Sequence, residues 1–158
     1  DGAPLFRKAL DQAGIGTLPF YGGDGIYDGT GEGSYIAIAG AAAENSFASI
    51  AGSQNIPGKA DFDTKFQAEY GVAAEGYAYA GYACAQILIE GIKAAVAAGD
   101  VTREAVRAAV VDKGAAFETV LGPVTFDSVG DTSQKYISLF KVENGAWVFA
   151  DEVDYTNK

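Results

Sequence analysis

Hydrophobic positions near the start of the chain follow first a helical and then an extended pattern. Pro4 suits a first helical turn, and Gly14 supplies a C-terminal stop. Between them, Phe6 and Leu10 recur at helical spacing. The short apolar run at residues 18–21 does not alternate with polar residues, which predicts a strand covered on both faces. A helix followed by a buried strand is typical of an α/β protein.

A glycine-rich stretch, residues 22–33, follows the predicted strand. It holds six glycines and three acidic residues, so we expect a loop with several positive-φ positions. Loops at strand ends of α/β sheets often carry binding sites. Residues 35–43 are alanine-rich and predict a short helix, and residues 45–50 predict a strand before a turn over residues 52–59.

Helical periodicity dominates the middle of the chain. Phe62, Phe66 and Tyr70 are spaced four apart and predict one helix. Residues 76–98 predict a longer helix with one apolar stripe, expected to cover a sheet. The stripe consists of Ala85, Leu88, Ile89, Ile92 and Val96. Thr102 is a suitable N-cap for a third helix that ends before Gly114.

The pattern changes to period two after Gly122 and Pro123. Two dense apolar runs, residues 136–142 and 146–150, flank the turn sequence Glu143-Asn144-Gly145. This arrangement predicts that the chain closes with a β-hairpin. Helices in the middle and strands at the end predict an α/β fold without a simple repeating βαβ order.

Composition narrows the possible functions. The chain has 158 residues, and its 11 basic and 21 acidic residues give a net charge of −10, which would repel nucleic acid and anionic membranes. It contains no histidine, which excludes imidazole-based catalysis and most catalytic zinc sites. The single cysteine, Cys84, is expected to be a buried small hydrophobe. No apolar run is expected to reach the roughly 20 residues that span a bilayer.

Candidate chemistry in the glycine-rich stretch centres on its acidic residues. Asp24 follows a predicted buried strand, where a carboxylate could pair with a substrate ammonium, although Asp-Gly is also a common plain turn. Asp24, Asp28 and Glu32 could together bind a hard cation, but solvated loop acids are the commoner explanation. Residues 29–33 lack the Lys-Ser/Thr of a nucleotide loop and carry an acid instead. We therefore predict no metal or nucleotide site here.

Tyrosines cluster where the long helix is predicted to begin. Tyr77 and Tyr79 lie at that start, with Tyr82 one turn on, and an aromatic wall formed by Tyr77 or Tyr79 would suit an apolar ligand. By residue type alone, tyrosines at these positions are more often partly buried packing residues. Both interpretations remain open from the residues themselves.

Three stretches, taken in order, resemble the type I periplasmic binding protein family, in the branch that carries branched-chain amino acids. The first runs from Gly14-Ile-Gly16 through Gly22-Gly-Asp-Gly25 to Ala39-Gly-Ala-Ala-Ala-Glu-Asn45. The second joins Phe62-Asp-Thr-Lys-Phe-Gln-Ala-Glu-Tyr-Gly71 to Glu75-Gly-Tyr-Ala-Tyr-Ala-Gly-Tyr-Ala83. The third joins Thr102-Arg-Glu-Ala-Val-Arg107 to Leu121-Gly-Pro-Val-Thr-Phe-Asp-Ser-Val-Gly-Asp131.

This resemblance implies an α/β, type I periplasmic-binding-protein-like fold with Rossmann-like lobes, present in part and ending in a C-terminal β-hairpin. It covers nearly all of this chain but only the C-terminal portion, about 45%, of a family member. By resemblance, residues 1–51 belong to lobe 2, residues 52–136 to lobe 1 and residues 137–158 again to lobe 2. A family member closes its ligand cleft between the two lobes by a hinge motion.

The resemblance also implies a function and site residues. The expected function is the non-enzymatic, reversible binding of an amino acid or similar small polar solute for delivery to an ABC permease. Asp24 would bind the α-ammonium group, Tyr77 would line the side-chain pocket, and Tyr79 is a further candidate ligand-binding residue. No cofactor and no metal are expected. The implied location is periplasmic or extracellular, with or without a lipid anchor on the full-length protein.

Two alternatives and one further expectation accompany this prediction. A ligand-sensing receptor ectodomain of the same fold would share these features. A hydrolase using paired carboxylates would need no histidine, although no carboxylate pair is distinguished by its spacing. The apolar stripes of the two middle helices would lack part of the sheet they cover, so we expect the chain to self-associate as a homodimer.

Overall fold

The computed structural model describes residues 2–29, 31–75, 77–111, 114 and 116–156. The chain divides into two compact units. Unit 1 consists of Asp1–Gln54 together with Lys135–Lys158, and unit 2 of Asn55–Gln134.

Unit 1 is built on a four-stranded sheet. Its elements are α1 (Ala3–Gln12), β1 (Phe20–Gly22), α2 (Tyr35–Ala39), β2 (Ser46–Ala51), β5 (Tyr136–Glu143) and β6 (Ala146–Asp154). The strand order is β1-β2-β5-β6, with β1 parallel to β2 and the other neighbours antiparallel. Short 3-10 turns follow β1 at Asp24–Ile26 and α2 at Gly40–Ala43.

The core of unit 1 lies on one face of this sheet. Ala48 and Val142 on the strands pack with Ile26, Tyr35 and Ala43 from the connecting segments. Tyr35 is 1% exposed, and its hydroxyl is hydrogen-bonded to Ser46 Oγ at 2.8 Å. Burial of this ring raises the pKa of the Tyr35 phenol.

The N-terminal predictions for unit 1 are confirmed in outline and corrected in detail. The helix beginning near Pro4 is present, and residues 35–43 form α2 and a 3-10 turn. The strand starts two residues later than predicted, and Tyr21 is 71% exposed, so the prediction of a strand covered on both faces is wrong. Only Gly29, among the described residues of the glycine-rich stretch, has a positive φ, because a 3-10 turn takes part of that stretch instead.

The predicted C-terminal hairpin is present. Its turn residues, Asn144 and Gly145, have φ values of 53° and 73°, the left-handed backbone that a tight Asn-Gly hairpin turn requires. The pairing of β5 with β6 shifts register between Leu139 and Phe140. β6 extends to Asp154, beyond the apolar run that predicted it.

Unit 2 consists of three helices and a two-stranded sheet. Its elements are α3 (Lys59–Tyr70), α4 (Ala78–Ala97), α5 (Arg103–Val111), β3 (Phe117–Thr119) and β4 (Gly122–Val124). One apolar cluster joins Phe62 of α3 to Tyr79 and Ala83 of α4. A second joins Ile87 of α4 to Phe117 of β3. The predicted N-cap of α5 is confirmed, since Thr102 Oγ1 accepts the Ala105 N–H at 3.2 Å.

The buried face of α4 differs from the predicted stripe. The residues in that stripe are exposed, including Leu88 and Ile92, which are 52% and 49% exposed. The buried positions recur every four residues instead: Tyr79, Ala83, Ile87, Gly91 and Ala95. Small residues on this face let α5 approach closely, because a Cβ on Gly91 would lie 2.6 Å from Val110 Cγ2. Close packing against α5 therefore requires a residue without a side chain at Gly91.

Two sequence expectations about α4 are corrected. Cys84 is exposed rather than buried, because it lies away from the packed face. By length and composition alone, α4 is long and apolar enough to cross a membrane, and 22% of its most apolar 18 residues are buried. The expectation that no stretch reaches this length is wrong, because many alanines raise the average hydropathy despite Glu90 and Lys93. One such helix is weak evidence of a membrane span.

Candidate functional site

Asp24 lies directly beyond β1, at the edge where the parallel strands β1 and β2 end. It opens the 3-10 turn Asp24–Ile26, and its carbonyl accepts the Tyr27 N–H at 2.9 Å. The side chain belongs to an exposed residue, whereas Ile26 of the same turn is buried in the core. The buried Ile26 side chain therefore anchors the turn, while Asp24 stays at the surface. Carboxyl ends of parallel strands are the usual ligand position in open α/β sheets.

The other acids of the same loop have separate surroundings. Both carboxylate oxygens of Asp28 accept the backbone N–H of Tyr35, at 2.8 and 2.9 Å. Ser34 Oγ accepts the Ala37 N–H, so Asp28 and Ser34 together cap α2. Glu32 is exposed. Among the described residues, no three Cys, Asp or Glu side chains come together in a way that could hold a metal ion.

Tyr77 occupies the N-cap position of α4. Its backbone has φ −88° and ψ 13°, and its carbonyl accepts the Gly81 N–H at 2.8 Å. The residue is 49% exposed, so part of its surface can contact another molecule. The first turn of α4 sets the direction in which the Tyr77 side chain leaves the backbone.

Tyr79 is enclosed, unlike Tyr77. It is 8% exposed, and its ring packs against Phe62 with 5.0 Å between centroids. Its hydroxyl donates to Asp63 Oδ1 at 2.6 Å and accepts from Lys59 Nζ at 2.6 Å. Lys59 also bonds Asp63 at 2.7 Å, which closes a triangle of three polar side chains. We call these three side chains the Lys59–Asp63–Tyr79 triangle.

Each group in the Lys59–Asp63–Tyr79 triangle has a shifted pKa. The hydrogen bond from Lys59 lowers the pKa of Asp63, and the bond from Tyr79 adds to this effect. The bond to Asp63 raises the pKa of Lys59, with a further contribution from Tyr79. Burial, followed by the bond to Asp63, raises the pKa of the Tyr79 phenol. All three shifts favour an ammonium, a carboxylate and a neutral phenol at neutral pH.

Tyr82, which the sequence suggested only as a packing residue, lies against Phe62 at 5.1 Å between ring centroids and is 49% exposed. The partly buried packing role that its residue type suggested is therefore present for Tyr82.

An apolar groove of about 460 Å³ lies between α4 and α5. Its floor is lined by Leu88 and Ile92 of α4 and by Val106 and Val110 of α5. Arg103 and Arg107 also border it. None of the predicted site residues lines this groove.

Arg7 is a buried residue that the sequence analysis did not identify. It is 2% exposed and donates Nε to the Ala42 carbonyl at 2.6 Å. Its Nη2 donates to the carbonyls of Gly16 and Glu44, at 2.6 and 2.8 Å. One arginine thus ties α1 to the segment before β2, which is a structural role. The detectable signal was a charged residue three positions after Pro4, on the inward side of an amphipathic helix.

Comparison with known proteins identifies the family. A sequence model described as "Periplasmic binding protein" matches residues 1–146. A curated relative, Leu/Ile/Val-binding protein homolog 2 of Brucella abortus (strain 2308), is 34% identical over 142 residues, or 89% of this chain and 35% of its own length. This chain thus spans about a third of that relative's length.

Solved structures agree on the fold. The leucine binding protein LivK of Thermotoga maritima superposes with a TM-score of 0.74 at 21% identity, over 98% of this chain and 42% of its own. An ABC transporter substrate-binding protein of Desulfitobacterium hafniense, solved in complex with Leu, gives 0.66 at 26% identity, over 94% and 40%. The resemblance and the fold class predicted from the sequence are confirmed. The chain belongs to the type I periplasmic binding protein family.

Proposed function

We propose that this chain is part of the substrate-binding component of an ABC transporter and takes part in reversible binding of an amino acid with an apolar side chain. The names of its relatives support this, since they include Leu/Ile/Val-binding protein homologues and a complex with Leu. The structural observation that carries the proposal is the exposed Asp24 carboxylate at the carboxyl ends of β1 and β2. The proposed ligand is therefore a zwitterion with an ammonium group for that carboxylate.

Asp24 is the proposed ammonium partner. A carboxylate accepts charge-assisted hydrogen bonds from an α-ammonium, and these are about twice as strong as bonds between neutral groups. Ile26 anchors the turn in the core, so the carboxylate is presented from a fixed backbone. Preorganisation of this kind reduces the entropy lost on binding.

Tyr77 is the proposed aromatic wall of the site, and the enclosed Tyr79 is proposed to support it from within the protein. The half-exposed ring of Tyr77 can form an apolar wall against a branched side chain. Tyr79, two residues further along, belongs to the same helical start. This assignment rests on the family resemblance and on the exposure of Tyr77.

The remaining parts of the proposal concern the whole protein. We propose lobe 2 for residues 1–51 and 137–158 and lobe 1 for residues 52–136, supported by the two compact units. The protein would act outside the cytoplasm, deliver its ligand to a permease and catalyse no reaction. A lipid anchor and a homodimer complete the proposal, the dimer being supported by the exposed apolar groove of α4 and α5.

Calorimetric titration of the full-length gene product with L-leucine, L-isoleucine and L-valine tests the function. Asp24→Asn should weaken binding by about 2 to 5 kcal/mol if the ion pair is buried, because it removes the charge and keeps the size. Glu32→Gln is the matched control, an exposed acid in the same loop. Equal affinities for the wild type and Asp24→Asn would reject the assignment. Hydrolysis of a model glycoside would instead indicate a carboxylate enzyme.

A further inference from the structure

The Lys59–Asp63–Tyr79 triangle links α3 to the first turn of α4. Lys59 and Asp63 are one turn apart on α3, and Tyr79 is the second residue of α4. All three distances between the polar atoms are 2.6 or 2.7 Å. The ring of Tyr79 is held at the same time by Phe62. Both the ring and the hydroxyl of Tyr79 are therefore fixed by α3.

A second ion pair on α3 shows what is particular about this triangle. Lys65 and Asp61 are also one turn apart and 2.7 Å from each other. Their side chains are 73% and 75% exposed, against 49% and 38% for Lys59 and Asp63. The hydrogen bond between Lys65 and Asp61 stays within α3. Of these two pairs, only Lys59 and Asp63 hydrogen-bond a side chain of α4.

The first turn of α4 also determines where the side chain of Tyr77 is attached. The Tyr77 carbonyl accepts the Gly81 N–H at 2.8 Å, so Tyr77 and Tyr79 belong to the same hydrogen-bonded turn. Helix ends fray unless their first turn is held by side-chain contacts. In this turn, the buried Tyr79 supplies such a contact, and Tyr77 is the exposed member.

We infer that Tyr79 is a positioning residue: through Lys59 and Asp63 it fixes the first turn of α4, and so places the Tyr77 ring for the ligand, without touching the ligand itself. This inference rests on the proposed function, in which Tyr77 lines the side-chain pocket. The ring of Tyr79 is enclosed, and its hydroxyl makes two hydrogen bonds within the protein. Neither the ring nor the hydroxyl is therefore placed to contact a ligand. Loss of the hydroxyl frees the turn, and Tyr77 then loses orientation that binding must restore.

Leucine titrations of the full-length gene product test the inference with four single variants. Tyr79→Phe keeps the ring but removes the hydroxyl, Asp63→Asn weakens the same triangle from α3, and Tyr77→Ala removes the proposed wall. Asp61→Asn is the control, because it breaks the exposed ion pair of α3. We expect Tyr79→Phe and Asp63→Asn each to weaken leucine binding about threefold to tenfold, the effect of one lost hydrogen bond. Asp61→Asn should stay within about twofold of the wild type.

A double-mutant cycle separates positioning from direct contact. If Tyr79 acts through Tyr77, the Tyr79→Phe effect on leucine affinity should vanish in the Tyr77→Ala background. An equal loss in both backgrounds would overturn the inference, as would an unchanged affinity for Tyr79→Phe when Tyr77→Ala weakens binding. Asp63→Asn in the same two backgrounds decides the matter if Tyr79→Phe does not fold.

A spectroscopic measurement keeps this inference distinct from the proposed function. NMR of tyrosine-labelled protein without ligand should show that Tyr79→Phe shifts or broadens the Tyr77 ring signals, whereas Asp61→Asn leaves them in place. Unchanged Tyr77 signals in Tyr79→Phe would overturn the positioning role. If Tyr77→Ala binds leucine as well as the wild type, the ligand assignment of Tyr77 fails, and the ring signals alone then decide whether Tyr79 positions it.

Discussion

The Glu44 carboxylate accepts the backbone N–H of Gly145 at 2.7 Å, although the two residues are 101 positions apart in sequence. Its other oxygen accepts the N–H of Asn144 at 3.2 Å. Both donors belong to the tight turn of the C-terminal hairpin. Glu44 therefore fixes that turn to the segment that leads into β2.

Replacement of Glu44 by Ala should lower the free energy of unfolding by about 1 kcal/mol, because the two turn N–H groups then bond only to water. Urea denaturation measures the change. Glu143→Ala is the control, since Glu143 makes only a partly exposed contact with Lys141 at 3.1 Å. If both variants have the same urea midpoint of unfolding as the wild type, the role assigned to Glu44 is wrong.

Arg7→Lys should be more destabilising, by about 2 to 3 kcal/mol, because an ammonium cannot reach the carbonyls that the guanidinium reaches together. Denaturant unfolding of unit 1 reports the loss. Lys8→Ala, at the exposed neighbouring position, should change stability little. Unchanged stability in Arg7→Lys would show that these carbonyls are satisfied in another way.

Two glycines of α4 should respond in opposite directions to alanine. Nothing lies within 4 Å of a Cβ on Gly81, so Gly81→Ala should stabilise the helix by up to about 1 kcal/mol. A Cβ on Gly91 would lie 2.6 Å from the stiff Val110 side chain, so Gly91→Ala should be net destabilising. Thermal unfolding of both variants compares them. A higher melting temperature for Gly91→Ala would mean that α5 moves aside at little cost.

The Lys59–Asp63–Tyr79 triangle should make stability depend on pH at both extremes. The pKa of Asp63 is lowered in the folded state, so its contribution is present above the unfolded value of about 3.9 and is lost as pH falls through the folded value. The pKa of Lys59 is raised, so its contribution is lost only as pH rises through a value above about 10.4. Asp63→Asn should therefore lose less stability than the wild type on acidification from pH 5 to about pH 2. Parallel acid unfolding curves for the two proteins would contradict this.

Self-association is expected through the exposed groove of α4 and α5. Leu88 and Ile92 are 52% and 49% exposed. Complete burial of such a side chain contributes roughly 1.5 to 3 kcal/mol, so covering the exposed half of each would contribute about half of that. Light scattering after size exclusion should report twice the mass of one chain for the 158-residue protein at micromolar concentration. Ile92→Lys should restore the monomer, whereas Lys93→Ala on the same helix should not. A wild-type monomer at that concentration would reject the homodimer.

Local signals predicted much of the fold because they act over a few residues. Asn144-Gly145 predicted the hairpin through the left-handed backbone it requires, and Thr102 predicted the start of α5 through its capping oxygen. Neither depends on the rest of the chain. The same holds for Asp24, whose position after a short strand could be read directly from the sequence.

The features that could not be predicted from the sequence depend on tertiary packing between distant residues. On α4, the buried face includes Ala83, Gly91 and Ala95 and leaves Leu88 and Ile92 exposed, because the contact with α5 depends on the side chains of α5. Arg7 was missed because its four acceptors are carbonyls spread over residues 16–44, which no local pattern brings together. The bonds of Tyr79 to Lys59 and Asp63 likewise join residues 16 to 20 positions apart.

The order of strands in unit 1 determines when they can pair during synthesis. Ala51, at the end of β2, pairs with Ile137 at the start of β5, so the whole of unit 2 is synthesised between the two partners. At a ribosomal rate of about 5 to 20 residues per second, β2 waits roughly 4 to 17 seconds for β5 to emerge. During that interval β2 presents an unpaired edge, which is a template for pairing with other chains. The nascent chain is thus prone to aggregation until the C-terminal hairpin is synthesised. A chaperone that covers the free edge of β2 would be needed only during that interval.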